Sequence, residues 1–187
     1  LRTLYAKGLD LQWIAMKQLP WEQGIDREAF AKTFTLGGLP IQETRFWGTL
    51  PEDTRWDIAR RGAAFTLSQF LHGEQGAMMV ASQLVNAVPH TDGKFYAATQ
   101  TLDEARHVEV FAAYIDLLDL VHPIAPSLKT LLDQTLAVDN WMLKCVGMQI
   151  VVEGLALYTF RDMRVTTQEP LLKQLLTYVS QDEARHT

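Results

Sequence analysis

The pentapeptide Asp103-Glu104-Ala105-Arg106-His107 occurs twice, returning letter for letter as Asp182-Glu183-Ala184-Arg185-His186. Each copy is preceded, thirty residues before its glutamate, by a lone acid in an apolar run: Glu74 before Glu104, and Glu153 before Glu183. A carboxylate and an imidazole three positions apart share one face of an α-helix. Glu104 with His107, and Glu183 with His186, can therefore each present two ligand groups to one point. A single Glu-x-x-His arises by accident in many chains. Two identical copies with matched partners read as a metal site built from Glu74, Glu104, His107, Glu153, Glu183 and His186.

The charge balance says which metals. Four buried carboxylates without partners would repel one another and resist ionisation. Two divalent cations bring four carboxylates and two neutral imidazoles to zero net charge. An oxygen-rich set with two histidines suits iron or manganese better than zinc or copper. A structural zinc would call for cysteines, and the chain has one, Cys145. Around the ligands, Asp103 and Asp182 sit four residues before a histidine and can accept its outer ring N–H. Whether they do so within a helix or across to the opposite histidine is open. Arg106 and Arg185 would offset their charge. His72 is turned away from Glu74, His90 and His122 fall in turns, and Met78, Met79 and Cys145 read as packing residues.

These groups need four helices to position them. From Glu74 to the turn near Val88-Pro89-His90 is roughly 21 Å of helix, and the return to Glu104 is roughly 18 Å. The two carboxylates thus arrive at nearly one level of an antiparallel hairpin. Glu153 and Glu183 do the same across Thr166-Thr167-Gln168. The expected core helices run from Pro51 to about Ala87, over 92–120, from a stretch opening at Ser127 up to about Val165, and onward from Pro170. Before them, residues 3–19 read as a peripheral amphipathic helix with Leu4, Leu11, Ile14, Ala15 and Leu19 on its apolar side. A short helix opens at Asp26-Arg27-Glu28, and 35–51 reads mainly as loop. The expected division is an N-terminal helical extension over 1–50 packed on a bundle over 51–187. The last helix is expected to be truncated, because a helix carrying two ligands rarely stops one residue beyond them.

Composition narrows the remaining classes. The chain has 187 residues, 48% hydrophobic and 21% charged, with a net charge of −5 and no basic run, which gives no reason to expect nucleic acid or an anionic membrane as partner. No apolar stretch uninterrupted by polar residues approaches the ~20 residues of a membrane span. One cysteine excludes an internal disulfide and fits a reducing cytoplasm.

The ligand pattern, in order, resembles the ferritin-like di-iron carboxylate superfamily, in which two helices each give a Glu and the other two each give Glu-x-x-His. The segments Leu71-His72-Gly73-Glu74-Gln75-Gly76-Ala77 and Leu102 to Phe111 are similar to its oxygenase-like branch. The resemblance covers about 52–187. It implies an all-α, ferritin-like four-helix bundle holding two iron ions, or manganese with iron, with O2 as co-substrate. It further implies a small organic or lipid-like substrate, an electron donor protein and a homodimer. The apolar neighbours Phe70, Met78, Phe111, Ala156, Leu157 and Phe160 are the expected walls of the substrate pocket.

Departures narrow the branch. The radical-generating subunit of ribonucleotide reductase usually has Asp first and a Tyr seven residues after the second ligand, where this chain has Glu74 and Phe111. Arylamine N-oxygenases carry a further His at the place of Val179, and bacterial multicomponent hydroxylases a Thr at the place of Leu157. The expected activity is oxidation of an organic substrate by hydroxylation, N-oxygenation or desaturation. Ferritin-type iron oxidation and storage, a ribonucleotide reductase-like radical generator, and a metal-stabilised interaction module without turnover are the alternatives.

Overall fold

The computed structural model describes residues 1–33 and 41–186, and among them every regular element is helical. Among the described residues, four α-helices precede the bundle, α1 (Arg2–Asp10), α2 (Ala15–Gln18), α3 (Arg27–Thr33) and α4 (Arg45–Thr49), with single 3-10 turns at Trp21–Gln23 and Ile41–Glu43. The core helices are α5 (Glu52–Ala87), α6 (Thr91–Leu118), a third made of three segments, and α10 (Pro170–His186). The third comprises α8 (Trp141–Cys145), a π-helical stretch Val146–Val152, and α9 (Glu153–Thr166). Between α6 and α8 lies α7 (Pro126–Ala137).

Local chemistry sets these boundaries. Pro51 precedes α5, and Glu52 and Asp53 complement the positive end of its dipole. The α5–α6 turn closes on Gly93, where a Cβ would stand 2.6 Å from Val88 Cγ1. Asn140 caps α8, its side-chain oxygen accepting from the Met142 and Leu143 amides at 2.9 and 3.3 Å. The buried Lys144 ammonium donates to the Thr135 and Leu136 carbonyls at 3.1 and 2.8 Å, satisfying the end of α7. At the start of α10, the Glu169 carboxylate accepts from the Leu171 and Leu172 amides at 3.3 and 2.6 Å. Tyr114 of α6 donates to the same carboxylate at 2.9 Å, tying two core helices at one end of the bundle.

Two antiparallel hairpins, α5–α6 and α9–α10, make the bundle, and α6 meets α10 between them. Two apolar clusters fill it. One gathers Trp13, Phe30, Trp47, Leu67, Phe111, Tyr114, Phe160 and Leu175. The other gathers Ala77, Val80, Leu84, Leu132, Met148 and Val152. On α5, Leu71 belongs to the first and Ala77 to the second, so Glu74 lies in a polar layer separating them.

Several expected boundaries shift. The helix expected over 3–19 is broken: α1 stops at Asp10, and the chain resumes at Ala15. The break re-sets the register, so Leu11 and Ile14 are exposed while Ala15 and Leu19 are buried. Of the 35–51 stretch read as loop, 35–40 lie outside the described residues, and 41–51 contain a 3-10 turn and α4. The helix from Ser127 does not run on into the third core helix; it ends at Ala137 and α8 starts afresh. Met79, expected to pack, is 45% exposed. Read as one helix, Trp141–Thr166 is long and apolar enough to cross a membrane, at mean hydropathy 1.3. Only 28% of its apolar stretch is buried, and Leu143, Ile150, Leu155 and Val165 are exposed along it, while its inner face brings Glu153 into the polar layer.

Candidate metal centre

All six expected ligands converge. Glu74 comes from α5, Glu104 and His107 from α6, Glu153 from the first turn of α9, and Glu183 and His186 from the last turn of α10. Each is at most 5% exposed. Their donor atoms form two groups, Glu74 with Glu104, His107 and Glu183, and Glu104 with Glu153, Glu183 and His186, each within 4.8 Å. Glu104 and Glu183 belong to both groups, the position a bridging carboxylate requires.

The rings are oriented alike. Nδ1 of His107 faces Glu74 and Glu104 at 3.2 Å and Glu183 at 2.9 Å. Nδ1 of His186 faces Glu104 at 3.0 Å and Glu183 at 3.4 Å. Both Nε2 atoms point outward to an aspartate, and the pairing is crossed. His107 meets Asp182 at 3.2 Å, and His186 meets Asp103 at 3.3 Å. Arg106 and Arg185 each contact both aspartates. The question left open by spacing is thus answered: each aspartate orients the histidine of the other helix.

The electrostatics describe a site that is costly without cations. Burial, with Glu183 beside it, pushes the Glu74 carboxyl well above the usual range. Burial and the Glu104 charge do the same to Glu153. Burial also opposes charge on Glu104, but His186 and His107 outweigh it and hold that carboxyl well below the usual range. Both imidazoles rise well above theirs. Burial works against this, and the carboxylates around them prevail: Asp182 and Glu104 for His107, Glu104 and Asp103 for His186.

The residues fit a pair of divalent cations. Glu153 Oε2 is a buried oxygen that makes no hydrogen bond, and Glu153 belongs to the second ligand group. Burying such an atom without a partner is unfavourable. The oxygen-rich set with outward N–H groups anchored on aspartate is the arrangement that hard to intermediate metals prefer.

Comparison with known structures decides the architecture. An R2-like ligand-binding oxidase with an aerobically reconstituted Mn/Fe cofactor superposes with a TM-score of 0.65 at 19% identity, over 99% of this chain and 64% of its own. The R2-like ligand-binding oxidase from Sulfolobus acidocaldarius gives 0.62 at 19% identity, over 98% of this chain and 68% of its own. The fold is ferritin-like. This chain spans about two thirds of the length of those structures. No protein-family model matches it, and no curated protein does.

In this ferritin-like bundle, two residues that sequence reasoning passed over lie against the aspartates. Trp13 donates from Nε1 to Asp182 at 2.7 Å, stacks on Tyr178 at 4.8 Å and lies under the Arg106 guanidinium at 5.0 Å. Gln12 donates to Asp103 at 3.0 Å and accepts from Arg106 at 2.7 Å. Gln12 and Trp13 occupy the break between α1 and α2, which explains why the helix stops there. The only sequence signal was a tryptophan and an amide inside an amphipathic pattern. Trp13→Phe keeps the stack and removes the donor, and a hydrogen bond to a charged group contributes about 1.5–3 kcal/mol. The variant should therefore lose about that much stability and unfold at a lower urea concentration. An unchanged midpoint in urea would contradict the role given to this contact.

Beside the cluster lies an apolar cavity of about 230 Å³. It touches Glu74, Glu153 and Glu183 and is walled by Phe70, Gly73, Ala77, Leu131, Leu155 and Ala156. Of the expected pocket residues, Phe70 and Ala156 line it. Phe111 and Phe160 are fully buried and pack against Phe70, at 6.0 and 4.9 Å between ring centroids, so they back the wall without lining the space. Met78 and Leu157 are part-buried and lie off its lining. Leu128 and Leu131 of α7, which the sequence left unassigned, close the cavity from outside the four core helices.

Proposed function

We propose that this chain is a non-haem di-metal oxidase that uses O2 to oxidise an apolar organic substrate. The observation that carries the reading is a buried cluster of four glutamates and two histidines opening onto an apolar cavity. The R2-like neighbours with their Mn/Fe cofactor support it, and so does the donor chemistry, which suits two irons or iron with manganese. Glu74, Glu104, His107 and Glu183 would hold one ion, and Glu104, Glu153, Glu183 and His186 the other. Once bound, the reduced pair would supply the electrons that activate O2.

The chain's own residues do the rest. Phe70, Ala77 and Ala156 exclude water beside the ligands and offer dispersion contacts to a hydrocarbon. The crossed aspartates keep both Nε2 positions protonated, so each Nδ1 presents a lone pair inward. Gln69 and Thr159 give the cavity its neutral polar groups. Hydroxylation, RH + O2 + 2e⁻ + 2H⁺ → ROH + H2O, draws two electrons from outside, so the reading includes an electron donor protein.

Reduced, iron-loaded protein exposed to O2 should consume it without mineralising added Fe2+. Growth of an iron core with each addition would transfer the reading to storage. Electron paramagnetic resonance should show no persistent tyrosyl radical. Tyr158 is 74% exposed, and Tyr114 is hydrogen-bonded to Glu169 at the bundle end. A tyrosyl signal in high yield would restore the radical-generator alternative.

A further inference from the structure

The two glutamates Glu104 and Glu153 share a neighbour pattern: each has a glutamine four residues before it, Gln100 and Gln149. The two amides form a chain leading to one ligand. Gln149, within the π-helical stretch, donates from Nε2 to Gln100 Oε1 at 3.3 Å. Gln100 donates from Nε2 to Glu153 Oε1 at 2.7 Å, with a longer approach to Glu104 Oε1 at 3.4 Å. Gln100 is 1% exposed. The other oxygen of Glu153 is buried and makes no hydrogen bond.

We infer that Gln100 is a positioning residue that occupies one oxygen of Glu153 and presents the other, Oε2, to the ion held with His186. The inference rests on the di-metal reading of the site. An amide can perform this role because it is neutral: its N–H orders a carboxylate without competing for its charge, as Arg or Lys would. Its own oxygen must then be satisfied, and Gln149 satisfies it. The first ligand group contains neither Glu153 nor any atom that Gln100 contacts at under 3 Å. The effect is therefore selective for one of two ions 
that share Glu104 and Glu183.

Cobalt(II) titration of metal-free protein tests this, because its visible bands report coordination at each ion. The unsubstituted chain should take up two equivalents. Gln100→Met, which preserves length without a donor, should bind the first with unchanged affinity and the second at least about tenfold more weakly, the usual cost of removing a group that orients a ligand. The bands of the second ion alone should change. Gln100→Asn keeps the amide but withdraws it by about 1.5 Å, and should show the same selective loss if Gln100→Met fails to fold. Gln149→Leu, one bond further out, should weaken the second ion less than either. Equal weakening of both ions would mean a merely structural role and overturn the inference, as would two unchanged affinities or a larger effect at Gln149 than at Gln100. Failure of the unsubstituted chain to bind two ions would instead overturn the di-metal reading, and this inference with it.

Discussion

Glu104→Ala should reduce bound metal from two ions per chain to less than one. Its carboxylate contributes to both ligand groups, and its two oxygens face different histidines, Oε2 toward His107 and Oε1 toward His186. Removing it takes an anionic ligand from each ion at once. It also leaves both imidazoles facing one carboxylate fewer, so neither ion can be compensated by the other. Glu74→Ala removes a ligand from the first group alone. The contrast is the measurement: metal analysis of iron-grown protein should find the Glu104 variant far below the Glu74 variant. Full occupancy after Glu104→Ala would remove the bridging assignment.

Metal should also invert the dependence of stability on pH. Without cations, Glu74 and Glu153 have folded pKa values raised above 4.5, and His107 and His186 above 6.5. The stability such groups contribute is fully present below the unfolded value and is lost as pH rises through the folded one. Asp103 and Asp182 behave oppositely. Burial opposes their charge, but the histidines and arginines beside them lower both below 3.8, so their contribution is lost only as pH falls through the folded values. The metal-free protein should therefore lose stability steadily from weakly acidic to alkaline pH. Metal binding requires deprotonated ligands and strengthens over the same range. At a free concentration a thousand times its dissociation constant, an ion adds about 4 kcal/mol, which in a chain of this size raises Tm by roughly 10 °C. Calorimetry from pH 6 to pH 8 should show the loaded and metal-free curves diverging. Parallel curves would show that the glutamates are not the groups the ions neutralise.

The cluster of four glutamates and two histidines was legible because its determinants are local. Glu104 and His107 share a helix face by pitch alone, and the distances from Glu74 and Glu104 to one turn fix their common level. What could not be read depends on partners far along the chain. Trp13 reaches Asp182 across 169 positions, and nothing near Trp13 announces that carboxylate. Phe111 and Phe160 were read from helix spacing as pocket walls, but both are fully buried against Phe70, and spacing alone does not separate a side chain that lines a space from one that backs it. The break after Asp10 went unseen because Leu11 and Ile14 continue the apolar rhythm while Gln12 and Trp13 reach for the aspartates. The π-helical stretch carries no proline, and its Gly147 is no signal specific to a π turn.

That stretch lets the third core helix carry one residue more than regular turns would hold. An α-helix advances about 100° per residue, and a π turn accommodates one residue more than an α turn. The widened turn absorbs the extra residue locally, so Asn140 and Lys144 keep the rotational setting toward Glu153 that a regular helix one residue shorter would have. Deleting a single residue from Val146–Val152 would let the backbone bond regularly throughout, with α8 still on the end of α7 and Glu153 still in the polar layer. The loss would fall inside the stretch, where Gln149 would forfeit the place from which it donates to Gln100. The extra residue is a guest that widens one turn without rotating either flank.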